Sequence, residues 1–267
     1  MIRKNPLKEK LRSGEAVKGV FCNLPSEAFV EILGHLGFDF VIIDAEHGPQ
    51  GEETTERMVR AADTVGLTAV ARVAVNLPQN LLRYLDTGVL GVQAPMVNTA
   101  AEAQAVVSAT KYPPLGRRGL ASVRASGYGV GMPATEYIKM ANEETLVVVQ
   151  VETLQAMEHL AEISRVDQVD VVFLGPTDLS ASMGFGGQPT HPQVMAAIER
   201  MGAEIRRAGK AAGTIARDPE AYRHWRERGF QYLATTATGL IAQVGRQYLE
   251  GCREQEEALG KTPPRGR

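Results

Sequence analysis

Two hydrophobic periods alternate along this chain. Eight short runs are apolar and rich in β-branched residues: "VKGVFC", "FDFVIID", "TAVARV", "VLGVQAP", "LVVVQVE", "VDVVFLG", "KAAGTIA" and "FQYLATT". Each reads as a strand with both faces covered, the habit of strands in a parallel sheet. Between them, apolar residues recur about every 3.6 positions over 26–36, 52–65, 78–85, 100–110, 154–163, 192–208 and 219–228, which predicts helices. A last helix is expected from about Leu240. Strand then helix, eight times, predicts a (β/α)₈ barrel rather than an open doubly wound sheet.

Several helix ends are written in the residues. Ser26, after Pro25, can accept from the first free N–H groups of its helix, and Gly37 can stop that helix in a left-handed turn. Asp218 before Pro219 is a cap followed by a preset first helical residue, and Gly229 is a second stop. Residues 111–134, "KYPPLGRRGLASVRASGYGVGMPA", follow neither period and predict a long loop. No break in composition marks a second domain. The expected organisation is one barrel domain over 1–260 and a tail over 261–267.

Composition narrows the partners. With 44% hydrophobic and 22% charged residues, the chain can fill a core of ordinary density. A formal charge of -2 gives no basic surplus to draw nucleic acid or an anionic membrane. The N-terminal stretch lacks the apolar centre of a signal peptide, and no run approaches the ~20 residues that span a bilayer. Cys22 and Cys252 stand far apart in no metal or redox spacing. A cytoplasmic protein without disulfides is expected.

Barrels of this type do chemistry at the carboxyl ends of their strands, and polar residues collect there. The second strand delivers Asp44, Glu46 and His47, the third Arg72, the fifth Glu152, and Asp178 follows the sixth. Each has a structural reading as well: Glu152 and Asp178 could cap helices, Arg72 could form a rim ion pair, and His47 could be a satisfied polar group. Converging on one mouth, they favour a site. Two carboxylates with no nearby Cys or His cluster suit a hard divalent cation such as Mg²⁺, Mn²⁺ or Co²⁺. The arginine can steady a carboxylate or an oxyanion, and the histidine is the natural base near neutral pH. No lysine sits near a predicted strand's carboxyl end, which argues against a Schiff-base route.

The blocks "FDFVIIDAEHGP", "ARV", "APMVNTAAEAQAVVSATKYPPLGRRG", "VVVQVET" and "FLGPTDLSASMG" resemble the metal-dependent pyruvate aldolases of the HpcH/HpaI family, from the first strand to about Tyr248. The resemblance implies a barrel whose C-terminal helix packs on a neighbouring subunit, in a hexamer built from dimers. It implies cleavage of a 4-hydroxy-2-oxo acid to pyruvate and an aldehyde. The implied metal ligands are Glu152 and Asp178, the implied base is His47 with Asp44 and Asp86 in support, and Arg72 contacts the pyruvate unit. The backbone of Gly175, Pro176, Thr177 and Asp178 is implied to receive the pyruvate carboxylate. Two stretches depart from the pattern: the glycine-rich "LASVRASGYGVG", and "ATTATGL", where relatives often carry a Gly-x-Asp turn. Both bear on the aldehyde half.

The glycine clusters "GYGVGM" and "MGFGGQ" do not follow a strand and open a helix, so they read as loops rather than phosphate cradles. Arg117 and Arg118 are candidates for a distal carboxylate or phosphate, or for interface charges. Alternative functions are oxaloacetate decarboxylation or CoA-thioester cleavage through the same enolate, and, from another class, a non-catalytic metabolite-binding barrel.

Overall fold

A computed structural model describes residues 3–259. The expected tail at 261–267 lies outside the described residues. Eight parallel strands close into a barrel in sequence order: β1 (Val17–Cys22), β2 (Phe40–Asp44), β3 (Thr68–Arg72), β4 (Gly91–Ala94), β5 (Leu146–Val151), β6 (Val171–Leu174), β7 (Ala211–Ile215) and β8 (Tyr232–Thr236). β1 pairs with β8 to shut the ring, and all eight expected strands are present.

Side chains alternate across each strand, and this splits the core into two layers. Phe40, Ile42, Val70, Leu146, Val148, Val171, Phe173 and Tyr232 fill the barrel interior. Val41, Ile43, Ala69, Ala71, Val147, Val149 and Val172 face the surrounding helices. Each large apolar side chain fully buried this way contributes roughly 1.5–3 kcal/mol. The same parity carries upward. Asp44 is two residues beyond Ile42, Arg72 two beyond Val70, and Glu152 two beyond Gln150 and four beyond Val148. Their inward-facing positions at the carboxyl rim follow from the strand period alone.

The predicted caps hold. Ser26 accepts from Phe29 N–H and Asp218 from Ala221 N–H, while Gly37 and Gly229 take φ of +86° and +79°. Four elements differ from expectation. A helix at Pro6–Arg12, capped by Asn5, inserts Leu7 and Leu11 into the interior layer. The long loop contains a short 3₁₀ segment at Arg124–Gly129 and is followed by a helix at Ala134–Glu144 that buries Tyr137 and Ala141 beside Tyr112. The 154–163 stretch is two helices, Leu154–Glu158 and Leu160–Ser164, parted at His159. The last helix starts directly after β8, at Ala237–Ala258, because Thr236 caps it by accepting from Gly239 N–H at 3.1 Å. Among the described residues, no helix is long and apolar enough to cross a membrane.

Candidate active site

A cavity of about 720 Å³ opens at the carboxyl ends of the strands, and Asp44, His47, Arg72, Glu152, Gly175, Pro176, Thr177 and Asp178 all line it. Asp44 and Arg72 are cross-strand partners in the β2–β3 ladder. Arg72 Nε donates to Asp44 Oδ1 at 2.8 Å and Nη2 to Oδ2 at 2.7 Å, a planar two-bond fork. Nη1 stands 3.1 Å from Glu46 Oε2 as an ion pair without hydrogen-bond alignment. The guanidinium also lies over the Phe21 ring, 4.8 Å from its centroid. Burial works against the Arg72 charge, but the Asp44 hydrogen bonds and the Asp44, Glu46 and Glu152 charges outweigh it and raise its pKa. A guanidinium has five N–H groups, so donors remain for a substrate oxygen.

Asp44 has a second task. Its Oδ1 accepts from the backbone N–H groups of Glu46 and His47, each at 3.2 Å, and so shapes the turn that presents His47. The imidazole is 60% exposed at the rim, with Nε2 3.9 Å from Glu46 Oε2. Support for the histidine ring from Asp44 therefore runs through the main chain, and the nearest carboxylate is that of Glu46. Glu46 was legible as part of the cluster but not as the ring's neighbour. Burial raises its pKa, with the Arg72 and His47 charges opposing.

Asp86 lies apart from the other predicted site residues in this chain. It ends the helix Pro78–Asp86, which runs back toward the amino ends of the strands, and it accepts from Arg118 Nη2 at 2.8 Å. It does not line the cavity, so within this chain it gives His47 no support. Arg118 is 5% exposed, spans Asp86 and the Tyr112 ring, and is no free anion hook; Arg117 is exposed and likewise outside the cavity.

Neither acid at the β5–β6 rim is a helix cap. Thr153 caps the helix after Glu152, and the helix after β6 begins at Pro176, so Asp178 is its third residue. Glu152 is 2% exposed. Its Oε1 accepts from Met96 N–H at 2.9 Å and its Oε2 from the Gln150 amide, which in turn accepts from Gln93 Nε2 at 2.6 Å. A Cβ at Gly175 would collide with Glu152 Oε2, so only glycine leaves that carboxylate its place. Burial is the main cause that raises the Glu152 pKa, and the Asp178 and Glu46 charges add to it against the Gln150 and Met96 hydrogen bonds. Gln93 and Gln150 are uncharged strand-interior residues that sequence reasoning passed over.

Among the described residues, Glu152 and Asp178 form no salt bridge with any cation, since Arg72 is committed to Asp44 and Glu46. Two unpaired carboxylates whose charges bear on each other fit a hard divalent ion. Among the described residues, no group of three or more His, Cys, Asp or Glu stands close enough to hold one alone. Substrate and water oxygens would have to complete the shell, as Mg²⁺-type ions prefer.

The family model for HpcH/HpaI aldolase/citrate lyase matches residues 18–242. The 4-hydroxy-2-oxo-heptane-1,7-dioate aldolase of Salmonella typhimurium is 40% identical over 248 residues, 92% of this chain and 93% of that one. The hydroxypyruvate/pyruvate aldolase of Cupriavidus necator is 37% identical over 254 residues, 94% of this chain and 93% of that one. The crystal structure of an HpcH/HpaI aldolase/citrate lyase family protein from Burkholderia cenocepacia superposes with a TM-score of 0.88 at 34% identity, covering 94% of this chain and 100% of that one. With the matching barrel, the rim residues and these relatives together, the chain belongs to the HpcH/HpaI aldolase/citrate lyase family.

Proposed function

We propose that this enzyme is a carbon–carbon lyase that splits a 4-hydroxy-2-oxo acid into pyruvate and an aldehyde. The observation that carries the reading is one cavity holding a forked Asp44–Arg72 pair, two carboxylates without a protein cation, and an exposed imidazole. The names of the aldolase relatives support a 2-oxo acid as substrate.

Glu152 and Asp178 are the residues that would hold a divalent cation, Mg²⁺, Mn²⁺ or Co²⁺. When bound, it supplies Lewis-acid stabilisation worth several kcal/mol to the oxyanion that develops on the substrate's C2 oxygen. Arg72 donates a remaining N–H to that same oxygen. The backbone N–H groups of Thr177 and Asp178, in the first turn of the helix that begins at Pro176, face the substrate carboxylate, while that of Gly175 is taken by Val151 O at 3.1 Å. His47, at the rim, takes the proton of the C4 hydroxyl. The C3–C4 electron pair then moves into the enolate, the aldehyde leaves, and a proton returned to C3 gives pyruvate.

The terminal helix supports a homo-oligomer. Ile241, Val244, Tyr248 and Leu249 form an apolar stripe along it and are 52–72% exposed, a face that a second copy would cover. A hexamer is the assembly that the family resemblance implies. The free thiols of Cys22 and Cys252 suit a reducing cytoplasm.

The test is pyruvate release from a panel of 4-hydroxy-2-oxo acids with each cation, followed through lactate dehydrogenase. Release from at least one substrate is expected. No release from any would favour a non-catalytic barrel.

A further inference from the structure

A second cavity, of about 530 Å³, opens at the opposite end of the barrel. Leu146 and Ala211, which line it, are the first residues of β5 and β7, and Asp170 stands just before β6. The helix Pro6–Arg12 joins these strand starts through Leu7 and Leu11 and brings Lys8 and Arg12 to the cavity. Arg206 and Lys210 come from the end of the helix Pro192–Arg207 and the turn into β7. Four cations thus face one carboxylate, that of Asp170, whose Oδ2 already accepts from Lys8 Nζ and from Val147 N–H, each at 2.9 Å. Lys8 is 2% exposed, and its Nζ shares Thr145 O with the Nζ of fully buried Lys111, at 3.1 and 2.7 Å. Two ammonium groups on one carbonyl oxygen repel, and burial together with the Lys8 charge holds the Lys111 pKa below its ordinary value. Lys210 Nζ donates to Val166 O at 2.9 Å, and Asp167 attracts it from outside the cavity. The cations of this wall that have partners are Lys8 and Lys210; among the described residues, Arg12 and Arg206 enter no salt bridge and donate no side-chain hydrogen bond.

We propose that this cavity is a second ligand site, which binds a small anion of two or more negative charges through Lys8, Arg12, Arg206 and Lys210. The two free guanidiniums present planar donor forks that suit phosphate and carboxylate alike. The anion offsets positive charge that Asp170 alone leaves uncompensated beside two buried ammonium groups. The volume falls within the about 300–1,000 Å³ usual for small-molecule sites. No residue of this cavity lines the catalytic mouth, so the proposal stands apart from the reaction catalysed there. A bound anion bridges segments far apart in sequence, 8–12, 170 and 206–210, and so ties the amino-terminal helix to the strand starts. Phosphate esters and polycarboxylates share this chemistry, and the experiment separates them.

The experiment titrates the full-length protein by calorimetry with fructose 1,6-bisphosphate and with tricarballylate, at fixed ionic strength and with Mg²⁺ and excess pyruvate present to occupy the catalytic mouth. At least one probe is expected to bind once per chain with Kd below ~1 mM, and the tighter one shows whether phosphate or carboxylate is preferred. Loss of a hydrogen bond to a charged group corresponds to roughly 10-fold in affinity. Arg12→Ala and Arg206→Ala should each weaken binding by about that factor. Both side chains are exposed and unpaired, so the variants should fold. Arg207→Ala removes the neighbouring charge, which does not line the cavity, and should weaken binding far less. Added salt should weaken it in wild type. The second readout is amide hydrogen exchange, which the tighter probe should slow in residues 6–12 and 206–211. No saturable binding of either probe, or binding unmoved by both Arg12→Ala and Arg206→Ala, overturns the proposal. So does equal weakening by Arg207→Ala, which would mark a diffuse charge effect, or exchange slowed only around the catalytic mouth. Each of these results leaves the aldolase reading intact, and a failure to release pyruvate leaves this binding test intact.

Discussion

Arg72 and Asp44, partners across the β2–β3 ladder, hold each other through two parallel hydrogen bonds of 2.8 and 2.7 Å with side chains 10% and 4% exposed. One carboxylate thus aims the guanidinium and, through the N–H groups of Glu46 and His47, shapes the turn that carries the imidazole. Removing Asp44 leaves a buried cation with only Glu46 beside it. Asp44→Ala is expected to cost about 3–5 kcal/mol of stability, read from denaturant unfolding. Arg72→Lys keeps the charge and loses the fork, so it should cost less stability and still lower kcat/KM ~10-fold or more. An unchanged unfolding midpoint in Asp44→Ala would contradict the coupling.

His47 is assigned one proton transfer, and a positioned base contributes ~10²–10⁴-fold. His47→Ala should lower aldol cleavage by that order. Decarboxylation of oxaloacetate needs the same enolate but no hydroxyl proton removed, so it should fall less. Equal losses in the two reactions would remove His47 from the base role.

Gly175 has an ordinary backbone, with φ of -82°, so alanine meets no conformational barrier there. Its methyl group would meet Glu152 Oε2 and approach Glu152 Cβ at 3.0 Å. Gly175→Ala should therefore fold with a near-normal melting temperature and lose ~10²-fold or more in kcat by displacing the Glu152 carboxylate. Normal turnover in a folded variant would show that the carboxylate's position is not critical.

Much of this was legible in the chain because local chemistry and the global fold agree. The eight strands announced themselves by length and β-branching, and Ser26, Gly37, Asp218 and Gly229 by cap chemistry. Glu152, Asp178, Arg72 and His47 were visible because charge at the end of an apolar strand is costly unless used. The helix Ala134–Glu144 was hidden because few of its residues are large and apolar; only Tyr137, Ala141 and Asn142 are buried. Gln93 and Gln150 carry no charge to flag them, and Arg246 reaches the mouth from a helix rather than from a strand end. Asp86 was placed by resemblance, and the Arg118 pair that holds it is a tertiary contact between α-helix and loop that no spacing encodes.

Lys111 looked like a loop lysine and is instead fully buried, with Nζ donating to Asn142 O and Thr145 O at 2.8 and 2.7 Å. Burial, reinforced by the Lys8 charge, pushes its pKa down to about 7 from 10.5. Between those values the unfolded chain binds the extra proton and the folded one does not, so stability from this group rises with pH. The penalty is fully present below about pH 7. Lys111→Met has no such titration. The stability of wild type relative to Lys111→Met should therefore climb as pH rises from 7 toward 10, measured by urea unfolding at fixed salt. A difference that is flat or falls over that window would contradict the buried-amine assignment.

The most direct test of the central claim is to strip the enzyme with excess EDTA, assay pyruvate release, and then restore Mg²⁺, Mn²⁺ or Co²⁺, in wild type and in Glu152→Ala and Asp178→Ala. The account predicts that wild-type turnover disappears on chelation and returns with the cation, and that neither variant recovers more than ~1% of it, the several kcal/mol expected of a Lewis acid. Undiminished turnover in chelator, or full recovery in either variant, would contradict it.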